Sequence, residues 1–142
     1  MAIVAQRKPQ TARAFQVEYF SDFLSDFDVD PVKQDLYKAT NEEAVKSSIR
    51  NLLLTNAGDR LYDSKIGSNI RSILFENFSP AMDSVLEDLI RTTIENYEPR
   101  AKINQVFVNS EIDSHYIVAT IVFSIINKEE PITLELFLNR IR

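Results

Sequence analysis

The chain has 142 residues, no cysteine, and 21 acidic against 16 basic residues, which gives a formal net charge of −5. This length fits one domain that can bury roughly 68–70% of its unfolded surface without any disulfide. The basic residues form no stripe that could follow a phosphate backbone, and the longest apolar run, residues 116–126, is shorter than the ~20 residues of a membrane helix. No apolar block follows the first basic residues, so we expect a soluble protein without a secretory signal, a nucleic-acid partner or a membrane partner.

Residues 1–39 are predicted to form an extended N-terminal arm. Basic residues come first, and four aspartates follow between Asp22 and Asp30. The charges alone fit a solvated, flexible leader equally well, but a purely solvating segment would not carry so many large apolar side chains. These are Phe15, Val17, Tyr19, Phe20, Phe23, Leu24 and Phe27. We therefore interpret the segment as an arm that lies on a surface, either its own or a partner's.

The next part of the chain has helical periodicity, because apolar residues recur at intervals of three and four. Thr40 and Glu43 have the spacing of a capping box, and the first predicted helix ends at Gly58. A longer helix starts at Pro80 and is stopped by Pro99, since proline disfavours the helical conformation of the residue before it. The apolar positions of these two helices are Val45, Ile49, Leu52 and Leu53, then Met82, Val85, Leu86, Leu89, Ile90, Ile94 and Tyr97.

The only two glycines, Gly58 and Gly67, lie between these helices. Their scarcity favours positions that need a positive φ or a close approach of the backbone. Ser68-Asn69 can cap a short helix that carries Ile70, Ile73, Leu74 and Phe75, which brings the prediction to about three helices.

From residue 101 onward the apolar pattern alternates, as in β-strands. Strands are predicted at Ile103–Val108, Tyr116–Ile126 and Ile132–Leu138, with polar links at 109–114 and 127–131 that make an antiparallel meander. The middle strand is apolar on both faces, so we expect helices on one face and either the arm or another protein on the other. The predicted fold class is α+β, with residues 40–142 forming a single domain after the arm.

Few residues suggest catalysis. A lone His115, no cysteine and no glycine-rich loop leave no expected metal, nucleophile or cofactor site, and we interpret His115 as a turn or strand-end residue. Two carboxylates across a cleft could serve a glycosidase, but a chain with 21 acids will contain such a pair by chance, for example Glu76 or Glu98 with an aspartate. These observations predict a binding protein rather than an enzyme.

Several short motifs, read together over about residues 41–141, resemble the baseplate wedge family of contractile phage tails. This lysozyme-like family includes the TssE component of type VI secretion and the sheath initiators of tailocins. The motifs are Gly58-Asp59-Arg60, Gly67-Ser68-Asn69-Ile70, Leu74-Phe75-Glu76-Asn77, Ser79-Pro80 and Tyr97-Glu98-Pro99-Arg100. The resemblance implies a structural wedge subunit that links the wedge core to the tail sheath and templates the first sheath ring by β-strand addition.

The resemblance also implies partners and a location. The partners are baseplate wedge scaffold proteins and the tail sheath subunit, with several copies in a sixfold ring. The location is the tail baseplate of a virion assembled in the cytoplasm of a bacterial host. A peptidoglycan-cleaving tail enzyme and a soluble adaptor unrelated to tails are the alternatives.

The resemblance places partner contacts at two sites. Glu98, Pro99 and Arg100 are expected to face the wedge scaffold, although a salt bridge inside the fold is the alternative for the two charged residues. The second site consists of the residues of the third strand that alternate with its apolar positions, namely Thr133, Glu135, Phe137 and Asn139. Glu76 and Asn77 are interpreted as local determinants of the fold.

Overall fold

A computed structural model describes residues 19–23, 27–76, 80–110, 116–126 and 128–139. In these residues three helices precede a three-stranded antiparallel sheet, which confirms the predicted α+β fold. None of the described helices is long and apolar enough to cross a membrane. The elements are β1 (Ser21–Phe23), β2 (Lys38–Thr40), α1 (Glu42–Leu54), α2 (Ile70–Leu74), α3 (Pro80–Tyr97), β3 (Ala101–Ser110), β4 (Tyr116–Ile125) and β5 (Lys128–Asn139).

The larger sheet has the order β3-β4-β5, so β4 is central, as the sequence predicts. Alternate residues of β4 and β5 point to one face and form the floor of the core. They are Ile117, Ala119, Ile121, Phe123 and Ile125 of β4 with Ile132, Leu134, Leu136 and Leu138 of β5, all buried. Full burial of each larger side chain stabilises the fold by about 1.5–3 kcal/mol.

Helices α1 and α3 bury their apolar stripes in the same core. The stripe of α3 is narrower than the sequence predicts, because Val85 and Tyr97 are exposed by 52% and 39%. Thr93, which is polar, is buried. The buried positions of the two helices are Ala44, Val45, Ile49, Leu52 and Leu53, then Met82, Leu86, Ile90, Thr93 and Ile94.

The predicted capping box at the start of α1 is wrong. Thr40 pairs with Ser21 in a two-stranded sheet, and α1 begins only at Glu42, so Thr40 lies one residue before the N-cap position. Asn41 is the N-cap residue, but its side chain caps nothing. Instead its Oδ1 accepts hydrogen bonds from the backbone N–H groups of Tyr19 (2.9 Å) and Phe20 (3.3 Å). The described part of the predicted arm is thereby attached to the start of α1, while the domain boundary at residue 39 stays a prediction.

The predicted link at 127–131 is also wrong, because β5 already begins at Lys128 and contains Pro131. A register shift separates the pairs Phe123↔Ile132 and Ile125↔Lys128, which is where a residue without an N–H group is tolerated. The interpretation of His115 concerns a residue outside the described ranges.

Both glycines have the conformation that their scarcity suggested. Gly58 has φ 99° in open space, and Gly67 has φ 135°. A Cβ on Gly67 would lie 2.7 Å from the carbonyl carbon of Asn56 and from the carbonyl oxygen of Thr55. Gly67 therefore satisfies both reasons for glycine, a positive φ and a close backbone approach.

The second face of the sheet carries exposed aromatic residues. Phe107, Tyr116 and Phe137 are exposed by 52%, 46% and 61%, and the rings of Tyr116 and Phe137 meet edge to face with centroids 6.2 Å apart. Val118 and Val122 of β4 are only half-buried. Among the described residues, no helix lies over this face, so cover by the arm or by another protein stays a prediction.

Candidate functional site

The Tyr-Glu-Pro-Arg motif forms the corner between α3 and β3. The Glu98 N–H donates to the carbonyl oxygen of Ile94 (2.8 Å), and the Ala101 N–H donates to the carbonyl oxygen of Glu98 (3.1 Å). Pro99 occupies the first central position of the resulting turn, where its fixed φ is favourable. The turn therefore ends the helix and starts the first strand of the sheet within four residues.

The Glu98 carboxylate is buried in the fold, with a relative exposure of 3% for the residue. Its Oε1 accepts from Arg100 Nε (2.6 Å), and its Oε2 accepts from Arg100 Nη2 (2.8 Å). The hydroxyl of Ser48, on α1, also donates to Oε2. A bidentate guanidinium and a hydroxyl together satisfy the carboxylate, and the Ser48 contact joins the corner to α1.

Electrostatics keep this pair charged. Burial acts to raise the pKa of Glu98, but the hydrogen bonds from Arg100 and Ser48 and the Arg100 charge outweigh it, so the pKa lies below its ordinary value. The hydrogen bond to Glu98 raises the pKa of Arg100 above its ordinary value. The Arg100 guanidinium also lies over the ring of Phe20, 5.6 Å from its centroid, so the corner holds the N-terminal segment as well.

The structure thus places Glu98 and Arg100 together in an internal ion pair, the alternative reading of this motif. The backbone carbonyl of Arg100 accepts from the Ile126 N–H (3.2 Å), which joins the corner to the end of β4. The Arg100 side chain keeps 29% of its surface exposed. Contact of the corner with a wedge partner stays a prediction, and the exposed part of Arg100 is what it requires.

The four predicted residues of the third strand form a single row. Thr133, Glu135, Phe137 and Asn139 are all exposed, and they pair in register with Val122, Thr120, Val118 and Tyr116. The row lies beside the edge of the sheet, because β5 is the last strand in the order β3-β4-β5.

The edge formed by β3 is closed by α3. The Val108 N–H donates to Glu87 Oε1 (3.0 Å), and the Ser110 hydroxyl donates to Asp83 Oδ1. Because Glu87 takes the Val108 N–H, that group points away from β4. Side chains of α3 therefore occupy the place where another strand would pair.

The contact between Val108 and Glu87 also determines which backbone N–H and C=O groups of β5 face the free edge. Hydrogen-bonded and non-hydrogen-bonded pairs alternate along an antiparallel ladder, so one known pair fixes the others. Val108 is opposite Ala119, and Ala119 is opposite Leu136. Because the backbone N–H of Val108 points away from β4, the N–H and C=O groups of Ala119 point towards β5. Those of Leu136 then point back to Ala119 and form a hydrogen-bonded pair with it. The N–H and C=O groups of Glu135 and Phe137 consequently point to the free edge. Among the described residues, nothing else bonds to these groups.

A cleft of about 390 Å³ lies beside the end of β5 and was not predicted from the sequence. Phe75 and Leu54, which line it, are exposed by 61% and 55%, and Phe75, which was predicted within the short helix, is the residue that follows α2. Among the described residues of the lining, Arg71 is the one that carries a charge. The remaining lining residues are Leu53, Asn56, Ile70, Leu74, Phe137, Leu138 and Asn139.

Within the described residues, no group of three histidine or acidic side chains could hold a metal ion. Glu76 lies just after α2, and Asn77 is outside the described ranges. Glu87 is a functional candidate that sequence reasoning missed, because its role depends on a contact with a backbone group 21 residues away.

Comparison with known proteins gives a consistent result. A family model described as "Baseplate wedge protein gp25" matches residues 39–128, which include the corner and stop at the first residue of β5. The baseplate wedge protein gp25 of Enterobacteria phage T4 is 28% identical over 110 residues, which is 74% of this chain and 83% of the relative.

Solved structures share the fold. A protein of the anti-feeding prophage baseplate, solved with sixfold symmetry, aligns with a TM-score of 0.61 at 17% identity, covering 87% of each chain. A protein from Geobacter sulfurreducens, provisionally described as a tail lysozyme, aligns with a TM-score of 0.66 at 20% identity, covering 71% of this chain and 92% of that one. At these identities the likeness establishes the fold alone, so the name lysozyme assigns no reaction to this chain.

Proposed function

Because this chain belongs to the baseplate wedge protein gp25 family, we propose that it links the wedge core of a contractile tail to the sheath and templates the first sheath ring. Its partners in this proposal are wedge scaffold proteins on one side and the tail sheath subunit on the other. Several copies form a sixfold ring, in line with the symmetry of the related prophage baseplate, and assembly takes place in the host cytoplasm. The role is structural and requires no catalytic residue.

The observation that carries this proposal is the difference between the two edges of the sheet. The β3 edge is blocked, because Glu87 already accepts the hydrogen bond from Val108. The β5 edge presents the backbone groups of Glu135 and Phe137, as the alternation of the ladder requires. A sheath strand that paired with β5 would gain main-chain hydrogen bonds there, so we assign strand addition to β5.

The surroundings of β5 can fix which residues of the added strand point inward. Alternate side chains of a strand point to opposite faces. On the inner side, the cleft with Leu54 and Phe75 can take apolar side chains, and Arg71 can pair with an acidic residue at its rim. On the outer side, Phe137 offers an exposed aromatic surface. A strand shifted by one residue would exchange these two sets of contacts, which favours a single register.

The corner has a supporting role in this mechanism. The ion pair of Glu98 and Arg100 fixes α1 against the start of β3, so the sheet is held rigidly on the helices before any partner binds. The exposed part of Arg100 is our candidate for wedge contact, because a guanidinium can bind a partner carboxylate in a bidentate geometry.

The test uses two substitutions at one position. Glu135→Pro removes an N–H group that points to the free edge, whereas Glu135→Ala keeps it. We expect baseplates that contain the Ala variant to initiate sheath and those that contain the Pro variant to accumulate without sheath. Initiation by both variants at wild-type frequency would refute strand addition at β5.

A second measurement uses the wild-type protein, so it tests the proposal even if the Pro variant does not fold. Hydrogen exchange of the wild-type protein should show fast exchange of the Glu135 and Phe137 amides in sheath-free baseplates and protection after the sheath is added. Unchanged exchange on sheath addition would also refute the proposal. The same amides should exchange equally fast in the isolated protein. Slower exchange in sheath-free baseplates than in the isolated protein would show that the wedge, and not the sheath, protects them.

A further inference from the structure

The loop between α1 and α2 carries two adjacent large apolar side chains that the fold does not use. Leu61 is exposed by 95% and Tyr62 by 103%. We call these two residues the loop tip. Single exposed apolar residues are common on protein surfaces and need no explanation. Two adjacent side chains that are fully exposed at the end of a loop are a different case, because together they form a compact apolar surface that a partner can reach.

The base of this loop is firmly held. The Ser68 N–H donates to the carbonyl oxygen of Thr55 (2.8 Å), and the Ser68 hydroxyl donates to the carbonyl oxygen of Leu53 (2.7 Å). From the corner, the Tyr97 hydroxyl donates to the carbonyl oxygen of Lys65 (2.6 Å). These bonds bring the two ends of the loop together and attach it to α1 and α3, which is the arrangement of an Ω-loop.

The neck of the loop is ordered as well. The Gly58 N–H donates to the carbonyl oxygen of Ser64 (2.9 Å), which closes the segment that carries the loop tip. Asp63 Oδ1 accepts from the Lys65 N–H (3.3 Å). Part of the conformational entropy that binding would remove is therefore already lost in the free protein, so the loop tip is preorganised for contact.

The charges around the loop tip identify the kind of partner. Asp59 and Arg60 precede it, and Asp63 and Lys65 follow it, so two acids balance two bases. An anionic lipid surface selects clusters of basic residues, which this loop lacks, and the whole chain carries a net charge of −5. An apolar pocket with a mixed polar border on a protein matches this pattern, as in interfaces where a tyrosine anchor is ringed by polar residues.

The position of the loop indicates which surface of the assembly it serves. Arg60 and Ile66 of the loop line a cavity of about 220 Å³ together with Tyr97 of the corner and with Ser48, which donates to Glu98. This part of the loop and the corner thus share one surface. The free edge of β5 borders a different cleft, which Asn56 at the base of the loop lines and Arg60 and Ile66 do not.

We propose that the loop tip inserts into an apolar pocket of another baseplate protein, at an interface separate from the β5 edge. This inference rests on the membership of the gp25 family and does not depend on sheath templating. Leu61 and Tyr62 are the anchors, the four flanking charges form the border, and the hydrogen bonds at the base hold the loop in the bound conformation.

The first test compares the loop tip with a matched exposed residue. Val85 is exposed by 52% and lies on α3, outside the arm, the loop and the cleft beside β5. The full-length chain is expressed in its native particle with Leu61→Asn and Tyr62→Asn together, or with Val85→Asn. The loop tip buries nothing in the isolated chain, and valine and asparagine have similar helix propensities, so both variants should melt near the wild-type temperature. We expect the double variant to be incorporated into purified baseplates about tenfold less, as for the loss of an interface hot spot, and Val85→Asn to be incorporated normally.

Normal incorporation of the double variant would overturn the proposal. This outcome is distinguishable from failure of the sheath proposal, because the loop variant acts on entry into the baseplate and the Glu135→Pro variant acts on sheath addition afterwards. The two steps are counted separately, as copies of this chain per baseplate and as sheath-bearing particles per baseplate.

A photo-reactive phenylalanine derivative in place of Tyr62 identifies the contact directly. We expect one crosslinked product in assembled particles, joining this chain to a single different baseplate protein, and the same substitution at Val85 should give none. A product joining two copies of this chain would overturn the proposal, and so would the lack of any product at Tyr62. Flotation of the isolated chain with phosphatidylcholine and phosphatidylglycerol vesicles, lost in the double variant, would assign the loop tip to a membrane instead.

Discussion

The two edges of the sheet differ in what meets the backbone groups that point away from β4. At β3, α3 supplies Glu87 and Asp83, which accept hydrogen bonds from Val108 and Ser110. At β5, the described residues offer no such acceptor, and an apolar cleft lies alongside. Proteins that remain soluble usually protect both edges of a sheet. The unprotected edge is the one to which our proposal assigns the sheath strand.

The largest expected effect on the free energy of unfolding comes from the corner between α3 and β3, the strand whose edge is closed. Arg100→Leu removes the guanidinium and leaves the buried Glu98 carboxylate with Ser48 alone. We expect the free energy of unfolding to fall by about 3–5 kcal/mol, because one charge of a buried pair then has no counterion. Urea unfolding followed by circular dichroism measures this. A double variant with Glu98→Gln should recover part of the loss, and no recovery would show that packing of Arg100, rather than charge, dominates.

The next effect comes from opening the closed edge. Glu87→Leu removes the acceptor of the Val108 N–H, and an unsatisfied, partly buried donor costs about 1–3 kcal/mol. Urea unfolding should show this loss, and hydrogen exchange should show a faster Val108 amide. The control is Glu95→Leu on the same helix, whose exposed side chain should change little. If the control loses as much stability, the Glu87 contact is not the cause.

Acid should weaken the corner in a way that depends on Glu98. The pKa of Glu98 is lower in the folded protein than in the unfolded chain. The ionised carboxylate therefore contributes fully to the free energy of unfolding above the unfolded pKa, and this contribution is lost as the pH falls through the folded pKa. The stability difference between the wild type and Glu98→Gln should therefore shrink below about pH 4.3, the ordinary pKa of glutamate. Chemical unfolding at a series of pH values measures it. A difference that is constant down to pH 2 would contradict the assigned role.

The smallest effect is expected at the open edge. Phe137→Ser alters an exposed side chain that loses its edge-to-face contact with Tyr116, so the free energy of unfolding should fall by only about 0.5–1.5 kcal/mol. Sheath initiation should nevertheless decrease, because the outer row loses its aromatic surface. Thermal melting and counts of sheath-bearing particles separate the two readouts. A large loss of stability would mean that β5 is part of the fixed core and not an available edge.

The sequence predicts the elements well where a regular pattern is repeated. Alternation in β5 and the three-and-four spacing in α3 locate the strands and the long helix, and Pro99 locates the corner between them. It fails where a distant partner decides the local conformation. Thr40 and Glu43 have capping-box spacing, but Thr40 is the last residue of β2, paired with Ser21, and the N-cap of α1 is Asn41. Prediction of such an outcome requires knowledge of the tertiary contact that competes with the local preference.

The candidate sites show the same division. The row from Thr133 to Asn139 is visible as the polar half of an alternating pattern. The contact of Glu87 with β3 could not be predicted, because no feature of the neighbouring sequence distinguishes a glutamate that accepts from a distant backbone N–H from any other glutamate on a helix surface. The apolar character of Phe75 does not show that this side chain lies exposed in the lining of the cleft, just after the end of α2.

Pro131 gives the open edge a defined length. It interrupts the regular ladder just before Ile132, and the preceding Lys128 is tied to Glu42 of α1 through a hydrogen bond of 2.6 Å. A regular added strand can therefore run along residues 132–139 but not past them towards the turn. In our proposal, Pro131 thus sets the length of the segment along which a sheath strand can add.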